Sequence, residues 1–483
     1  MLTTKAIFGA SWMVSSRLTG RMIDFATVLI LARVLSPADF GLTALAASLI
    51  AILDTALEIP LSQALIRLEK VEKPHLDTAF TLALLRGCAL STLLLAAAYP
   101  FSLLYHDPRL PAVLCVLAIG PIARSLYSPA MVKFSRNISF RQAFTADVTG
   151  KIVAACCSMF LAYHGGKYWA IAANSVISPL TAALLSYVLA PYRPALNFSR
   201  FSDFSSFIGW LSFAQLLTAA SWQVDRGVLG YFVSKATLGR YTMASDFAQL
   251  PTQTLVGPAL QPVMAAYAQI RGDQGRLARA YVRATQYAVT VAAPAGVGMA
   301  LSADLVVKVV LGRQWLESVS YLKCLAVLAV FQALYQPFYG LVMALNRPRI
   351  IFRMSLLDIC CKVILVALGY SLYRMQGVLA ARAAVSVIIF VVVLLTARRI
   401  TGARALTQLI SLWRVAVSTA VMSACVTLAL RELAAVSLGD PIKLGLVVVV
   451  GAISYVGTLF GLGFRLPTSA SGKTAASEAV SSA

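Results

Sequence analysis

Apolar residues run along this chain in long blocks separated by short polar segments. Each block holds about 20 mostly apolar residues, the length an α-helix needs to cross the hydrocarbon core of a bilayer. We predict fourteen spans, beginning near Phe8, Phe40, Asp77, Leu110, Ala143, Tyr168, Ser206, Tyr241, Ala284, Tyr321, Ile350, Val378, Val415 and Leu444. The pattern therefore predicts an all-α, polytopic membrane protein.

The composition agrees with this class. Hydrophobic residues make up 59% of the 483 residues and charged residues 12%, whereas a soluble domain carries about 25% charged residues. The net charge of +22 raises the question of nucleic acid, which basic proteins bind through a cationic surface. Here the cations are spread through short segments between spans, so we expect no nucleic-acid partner.

The loop cations predict the orientation of the chain. Most of the Lys and Arg residues outside the spans fall on one side, including Arg271, Arg279, Arg347 and Arg349. Cytoplasmic loops carry such an excess, so both termini are predicted to be cytoplasmic. On the same side, the segment Ala268 to Arg283 has its apolar residues at helical spacing, which predicts a short amphipathic helix on the membrane surface.

The first twelve spans form two similar sets of six. Asp147 and Lys151 in span 5 recur as Asp358 and Lys362 in span 11, and Asp24 recurs as Asp225. The turn Ser36–Gly41 is also similar to the turn Ser234–Gly239. Such repeats predict two six-helix lobes around a pseudo-two-fold axis, as in alternating-access transporters. The predicted boundaries are 1–192 and 206–400 for the lobes, 193–205 for a cytoplasmic linker, 401–466 for two further spans and 467–483 for a disordered cytoplasmic tail.

Charged residues within the spans are the candidate functional residues. A charge at the centre of a bilayer costs about 2.5–3.5 kcal/mol even on the mildest scale, so it usually faces the protein interior or a water-filled pathway. Arg17, Arg21 and Asp24 share one face of span 1, and Asp54 and Glu58 share one face of span 2. The predicted substrate-binding residues are Arg17, Arg21, Asp24, Arg86, Arg124, Lys151, Arg226 and Lys362, and the predicted ion-coupling acids are Asp24, Asp54, Glu58 and Asp225.

These charges have two interpretations. They line a cationic cavity for a phosphate or pyrophosphate head group, which arginine binds bidentately, or they only neutralise one another between helices. We favour the cavity for the span 1 residues and leave both interpretations open for Asp147/Lys151 and Asp358/Lys362. Lys308, Lys323 and Arg382 lie near span ends, from which long side chains reach the interface, and Trp315 is predicted to be an ordinary interface anchor.

The sequence lacks the residue patterns that a histidine-rich metal site or ATP hydrolysis would need. The histidines His75, His106 and His164 lie in predicted loops, which leaves no histidine-rich metal site. The chain has no GxxxxGK[ST] phosphate loop, so we expect no ATP hydrolysis by that route. The sequence predicts no cofactor and a protein that is not an enzyme.

Five short motifs stand out along the chain: LARVLSPADFG at Leu31–Gly41, FTLALLRG at Phe80–Gly87, LGRY at Leu238–Tyr241, QP at Gln261–Pro262 and LGRQW at Leu311–Trp315. In their order and spacing they resemble the Wzx-type oligosaccharide flippases, a polysaccharide transporter family in the superfamily of multidrug, oligosaccharidyl-lipid and polysaccharide exporters. Within this family, the chain most resembles the branch that exports exopolysaccharide repeat units.

The resemblance implies two lobes in a V shape around a cationic cavity in the bacterial inner membrane. It implies a polyprenyl-pyrophosphate-linked oligosaccharide as cargo, moved to the periplasmic leaflet for exopolysaccharide or lipopolysaccharide synthesis. It also implies membrane lipids and the polysaccharide polymerase and export machinery as partners. Arg21 and Asp24 stand where related flippases place a charged pair.

Two other functions were weighed. A MATE-like ion-coupled antiporter of small molecules would share the fold, but its cavity should be rich in acids and aromatic residues rather than in cations. A membrane polysaccharide polymerase would need a long periplasmic loop for its active site, and the segments between predicted spans are too short to fold.

Overall fold

The structure is a computed structural model that describes residues 2–137, 139–202 and 210–464. Across those residues the chain forms helices joined by turns and irregular segments, without any β-strand. The prediction of an all-α fold is confirmed. Ser206, where span 7 is predicted to begin, and the tail 467–483 lie outside the described residues.

The α-helices are numbered here in chain order. The N-terminal half contains α1 (Leu2–Val34), α2 (Pro37–Ala56), α3 (Leu61–Arg67), α4 (Lys73–Tyr105), α5 (Leu110–Leu117), α6 (Ile119–Ser125), α7 (Val132–Arg136), α8 (Arg141–Tyr163) and α9 (Tyr168–Leu189). The middle contains α10 (Trp210–Phe232), α11 (Lys235–Pro251), α12 (Gly257–Gln269), α13 (Gln274–Leu301) and α14 (Ala303–Val306). The remainder contains α15 (Val319–Ala344), α16 (Pro348–Thr401), α17 (Ala405–Ile410), α18 (Trp413–Ala435) and α19 (Asp440–Gly461).

Many of these helices can cross a membrane. Among the described residues, eight are long and apolar enough, and two bent helix pairs raise the number to ten. Thirteen of the fourteen predicted span starts fall on helices. The other, Ser206, lies outside the described residues. Two of the predicted starts, Ile350 and Val378, share α16. The chain is thus a multi-pass membrane protein, and the count of fourteen stays a prediction.

The long α16 is a helical hairpin. Tyr373 and Arg374 leave the helical conformation, with φ of 53° at Arg374. A Cβ on Gly377 would lie 1.9 Å from the carbonyl oxygen of Gly369. Eight residues of straight helix would separate these glycines by about 12 Å, so the two arms fold back on each other and pack through backbone atoms. A turn between spans 11 and 12 was predicted in this region.

The predicted amphipathic surface helix is wrong as a separate element. Arg276 to Tyr281 form the first turns of the 28-residue helix α13, and both Leu277 and Tyr281 are buried. The helical spacing was correct, but no residue that breaks a helix separates this segment from the apolar block that follows.

The chain divides into two compact units. The first comprises Met1–Phe247, Val310–Tyr321 and Asn346–Ile389, and the second comprises Ala248–Val309, Leu322–Leu345 and Phe390–Ala483. In the second unit, α13 packs against α18 and α19, where Tyr455 donates to the Thr290 carbonyl at 2.8 Å. The two predicted lobes stay a prediction. Every predicted site residue belongs to the first unit, which is described next.

A capping box begins α2. The Ser36 hydroxyl accepts a hydrogen bond from the Asp39 amide at 3.3 Å, and the Ser36 amide donates to Asp39 Oδ2 at 3.1 Å. Pro37 follows the cap, where its missing N–H costs nothing because the first amides of a helix have no intrahelical partner. These residues fix the sharp turn between α1 and α2.

Replacing Ser36 by alanine is expected to lower the free energy of unfolding by about 1 kcal/mol, because the Asp39 amide loses its acceptor. Thermal unfolding of the purified protein would measure this loss. Ser320→Ala is the control, since Ser320 is exposed on α15 and caps no helix. Equal effects of the two substitutions would contradict the capping role.

Trp315, which is distant in the sequence, caps the C-terminal end of α1. Trp315 donates from its indole nitrogen to the Ala32 carbonyl at 2.8 Å, and its ring meets that of Phe40 edge-on with centroids 5.3 Å apart. Gln314 donates to the carbonyls of Ala32 and Leu35. Trp315 is fully buried, so the prediction of an interface anchor is wrong. Its indole N–H instead serves one of the unpaired carbonyls at a helix end.

The two repeated turns meet each other through glycine. A Cβ on Gly41 would lie 1.8 Å from the carbonyl oxygen of Lys235, and a Cβ on Gly239 would lie 1.9 Å from that of Pro37. The first turns of α2 and α11 therefore pack backbone to backbone, in a reciprocal contact that two repeats related by a two-fold axis would make. We call this contact the glycine seam.

Candidate functional site

One cluster of charges lies at the end of α2 and joins three helices. Arg86 on α4 donates to Asp54 Oδ1 at 2.7 Å, and Arg124 on α6 donates to Asp54 Oδ2 at 3.0 Å. One carboxylate thus faces two guanidinium groups, which leaves one positive charge in excess. The Arg124 side chain is 47% exposed and that of Arg86 25%, so the excess charge is most accessible at Arg124.

Arg86 also caps α2. Its guanidinium donates to the carbonyl oxygens of Asp54 at 2.9 Å and Leu57 at 2.7 Å. The last carbonyls of a helix lack intrahelical partners, and inside a membrane such groups are costly to leave unsatisfied. Arg86 therefore holds the end of α2 in place and orients the Asp54 carboxylate toward Arg124.

The predicted pair of Asp54 and Glu58 on one helix face is wrong. The helix ends at Ala56 with Leu57 as its C-cap, so the exposed Glu58 lies beyond it. Pro60 follows closely, and the residue before a proline avoids the helical conformation. With the helix interrupted, an i, i+4 spacing no longer places the two carboxylates together.

A second cluster joins α1 and α8. Lys151 Nζ lies 2.6 Å from Asp24 Oδ2, and the Asp24 side chain is 53% exposed. A Cβ on Gly20 would lie 3.0 Å from Lys151 Nζ and 3.4 Å from Asp147 Oδ2, so both groups border the same face of α1. Arg21 is exposed one turn before Asp24. The side chain of Arg17 falls outside the described residues.

A third cluster is buried between α10 and α16. Arg382 NH1 lies 2.8 Å from Asp225 Oδ2, and Lys362 Nζ lies 2.7 Å from Asp358 Oδ2 and 3.9 Å from Asp225 Oδ1. Ser221 donates to Asp358, and its carbonyl accepts from Lys362 at 2.7 Å. Two acids and two cations give a neutral group. Such networks neutralise charges that helices cannot bury alone.

Arg382 is the main residue of this cluster that the sequence interpretation missed. It was predicted to reach the interface from a span end, but it is 4% exposed and paired with Asp225. A pattern signal existed, because Asp225 and Asp358 together exceed the charge of Lys362 and require one more cation. Which cation supplies that charge depends on how α16 folds back, which the local sequence does not specify.

A fourth pair links Arg226 on α10 to Asp246 on α11. Asp246 was not among the predicted site residues. The structure therefore brings the predicted residues into several separate clusters. Arg21, Asp24 and Arg124 are exposed, whereas Asp225 and Lys362 are buried.

No metal centre is apparent in the part of the chain that the structure describes, since no three His, Cys, Asp or Glu side chains converge there. His75 belongs to the start of α4, where it accepts from the Glu72 amide at 3.2 Å. The exposed arginines can instead bind anions, because a guanidinium presents two parallel N–H donors that match phosphate oxygens.

The long apolar helices define a multi-pass membrane protein, and known structures share the fold. The structure of the lipid II flippase MurJ in its inward closed conformation superposes with a TM-score of 0.72 at 13% identity, over 94% of this chain and 98% of that chain. An inward-facing multidrug resistance MATE family transporter gives a TM-score of 0.63 at 14% identity, over 79% and 95%. At these identities the similarity concerns the fold alone.

Sequence comparison gives the family. The model of a family described as "Polysaccharide biosynthesis protein" matches residues 30–320, more than half of the chain, so the chain belongs to this family. Succinoglycan biosynthesis transport protein ExoT of Rhizobium meliloti (strain 1021) is 24% identical over 313 residues, 63% of this chain and 62% of ExoT. Lipopolysaccharide biosynthesis protein WzxC of Escherichia coli (strain K12) is 20% identical over 362 residues, 73% of each chain.

Proposed function

We propose that this protein is a flippase for polyprenyl-pyrophosphate-linked oligosaccharides. It carries them from the cytoplasmic to the periplasmic leaflet of the bacterial inner membrane, with both of its termini in the cytoplasm. The family supports a role in polysaccharide biosynthesis, and the names of relatives concern succinoglycan transport and lipopolysaccharide biosynthesis. The fold is similar to that of a lipid II flippase.

The observation that carries the proposal is the excess positive charge at Asp54. Arg86 and Arg124 share one carboxylate, and Arg124 is the more exposed of the two. The negative charge of a pyrophosphate would balance the excess positive charge of these three side chains. The N–H donors of an exposed guanidinium also match the oxygens of a phosphate. Arg86 keeps the end of α2 in place while Arg124 contacts the head group.

Arg21 and Lys151 supply further positive charge on α1 and α8. Asp24 holds the Lys151 ammonium at 2.6 Å, and an arriving phosphate competes with Asp24 for it. In alternating access, the two predicted lobes exchange the side to which such a site opens. Lys362 has a structural role in this proposal, because oxygens of the chain itself surround its ammonium.

The MATE-like antiporter is the weaker alternative. A cationic cargo needs acids that the chain does not already neutralise. Three of the predicted ion-coupling acids, Asp24, Asp54 and Asp225, have cationic partners. Glu58 is exposed beyond the end of α2, and its ion-coupling role stays a prediction.

We expect Arg21→Ala and Arg124→Gln each to weaken head-group binding roughly 10- to 100-fold, since each removes a charge-assisted contact worth about 1.5–3 kcal/mol. Asp54 keeps Arg86 in the second variant, so the helix end stays capped. Polysaccharide export in a strain lacking the wild-type gene would measure the loss, together with lipid-linked oligosaccharide accumulating in the cytoplasmic leaflet.

Arg276→Gln is the matched control. Arg276 is 71% exposed and pairs with Asp273 in the turn before α13. It belongs to the second unit and to none of the charge clusters described above, so export should be normal. Normal export by a well-expressed Arg21→Ala, Arg124→Gln double variant would rule out both residues as head-group ligands. Unchanged leaflet distribution of the lipid in a strain without the protein would reject the flippase itself.

A further inference from the structure

Two clusters in the first unit share one arrangement of two aspartates and a lysine. In each, a lysine follows an aspartate by four residues on one helix and approaches a second aspartate on another helix. The N–O distance to that second aspartate is 2.6 Å in one cluster and 3.9 Å in the other. The Lys151 cluster, on α1 and α8, holds Asp24, Asp147 and Lys151, and the Lys362 cluster, on α10 and α16, holds Asp225, Asp358 and Lys362.

The surroundings of the two lysines differ. Asp24 is 53% exposed, so water can solvate that carboxylate. The Lys362 cluster is buried, since the side chains of Lys362 and Asp225 are 10% and 9% exposed. Hydration therefore cannot replace a charge lost from the Lys362 cluster, whereas it can replace one lost from the Lys151 cluster.

Lys362 Nζ occupies an oxygen-lined position. It contacts Asp358 Oδ2 and the Ser221 carbonyl, both at 2.7 Å, and faces Asp225 Oδ1 at 3.9 Å. Asp225 Oδ1 is buried and accepts no hydrogen bond, although its other oxygen is bound by Arg382. Carboxylate and carbonyl oxygens around one positive charge are also the ligands that hard metal cations prefer.

We propose that Lys362 is a tethered counter-ion, occupying a position that would otherwise bind a sodium-sized monovalent cation. With the lysine present, the two acids are balanced by Lys362 and Arg382, and no exchangeable cation enters. Without the ammonium, the buried group carries one net negative charge, which is costly in a medium of low dielectric constant. Removal of the ammonium therefore creates a cation site from residues already in place.

This inference concerns the energy source and does not depend on the cargo. A transporter whose buried acids hold a covalently attached cation does not carry sodium through that cluster. The ion-coupling role predicted for Asp225 is then absent from the wild-type protein. Because the test uses purified protein without any lipid-linked sugar, its failure would leave the proposed flippase function untouched.

Thermal unfolding of the purified full-length protein in detergent tests the proposal, with NaCl replacing choline chloride at constant ionic strength. We expect the midpoint of Lys362→Ala to rise by roughly 1–3 °C per tenfold increase in NaCl above the dissociation constant, because a ligand bound only to the folded state stabilises it. The wild-type midpoint should not respond to the exchange of choline for sodium.

Two variants make the result specific. Lys362→Ala with Asp358→Asn removes one charge of each sign, keeps the cluster neutral and should show no response to sodium. Lys323→Ala removes a lysine paired at 2.6 Å with Asp304, but both partners are about half exposed, so water replaces the ammonium and sodium should have no effect. Lys362→Gln serves in the same assay if the alanine variant does not fold.

The outcomes are distinct. A sodium response confined to Lys362→Ala or Lys362→Gln supports the tethered counter-ion. A similar response in the wild-type protein, or in the variant that also carries Asp358→Asn, overturns the proposal. It is equally overturned if a folded variant without Lys362 ignores sodium, since the vacated position then takes no metal cation.

Discussion

Gly41→Ala is expected to destabilise the protein by about 3 kcal/mol, near the upper end of what overpacking costs in a protein interior. The added methyl group would lie 1.8 Å from the Lys235 carbonyl oxygen and 2.9 Å from the Gly239 nitrogen. All of these are backbone atoms, so no side chain can rotate away. Helices α2 and α11 would have to separate at the glycine seam.

Thermal unfolding in detergent would measure this effect, and Gly239→Ala should behave in the same way because its methyl group would meet the Pro37 carbonyl at 1.9 Å. Gly457→Ala is the matched control. A Cβ at Gly457 has no neighbour within 4 Å, and alanine favours the helix more than glycine does. A Gly41→Ala protein as stable as Gly457→Ala would mean that the seam is not closed in solution.

Arg382→Leu is expected to lower the free energy of unfolding by about 3–5 kcal/mol, because it leaves Asp225 buried without its main partner. The distance of 2.8 Å and the exposure of 5% and 9% for the two side chains define a pair that water does not reach. Adding Asp225→Asn should restore part of the loss by removing the uncompensated charge. Unfolding midpoints of the two variants measure both effects.

Arg240→Leu is the comparison for Arg382→Leu. Arg240 pairs with Glu317 at 2.6 Å, but the Glu317 side chain is 69% exposed, and such pairs contribute about 0–1 kcal/mol. If both arginine substitutions cost the same, burial does not determine the strength of the Asp225 pair. If Asp225→Asn adds to the loss, the charge of Asp225 stabilises the fold by some other contact.

The sequence predicted the helices well because the signal for them is local. Each apolar block of span length is continuous in the sequence, and the acid and the lysine of Asp147/Lys151 and of Asp358/Lys362 are only four residues apart. The repeated acids of the two halves, Asp24 and Asp225, were also identified from sequence. In the structure each is paired with a cation from another helix.

The errors arose where the outcome depends on contacts across the fold. Glu58 lies outside its predicted helix because α2 stops at Ala56, and Arg86, on another helix, binds the carbonyls at that end. Arg382 and Trp315 looked like residues of a membrane interface, but each has a buried partner far away in sequence. Span-end position alone cannot distinguish a side chain that reaches water from one that reaches a neighbouring helix.

The contact between Trp315 and Ala32 has a consequence for the order of biosynthesis. The two residues are 283 positions apart, and a ribosome adds about 5–20 residues per second, so the first helix emerges roughly 15–60 s before its partner indole exists. Until then the carbonyl of Ala32 must be hydrated or held by the insertion machinery. A nascent chain stalled before residue 315 would carry an unfinished first helix, which quality-control proteases could recognise.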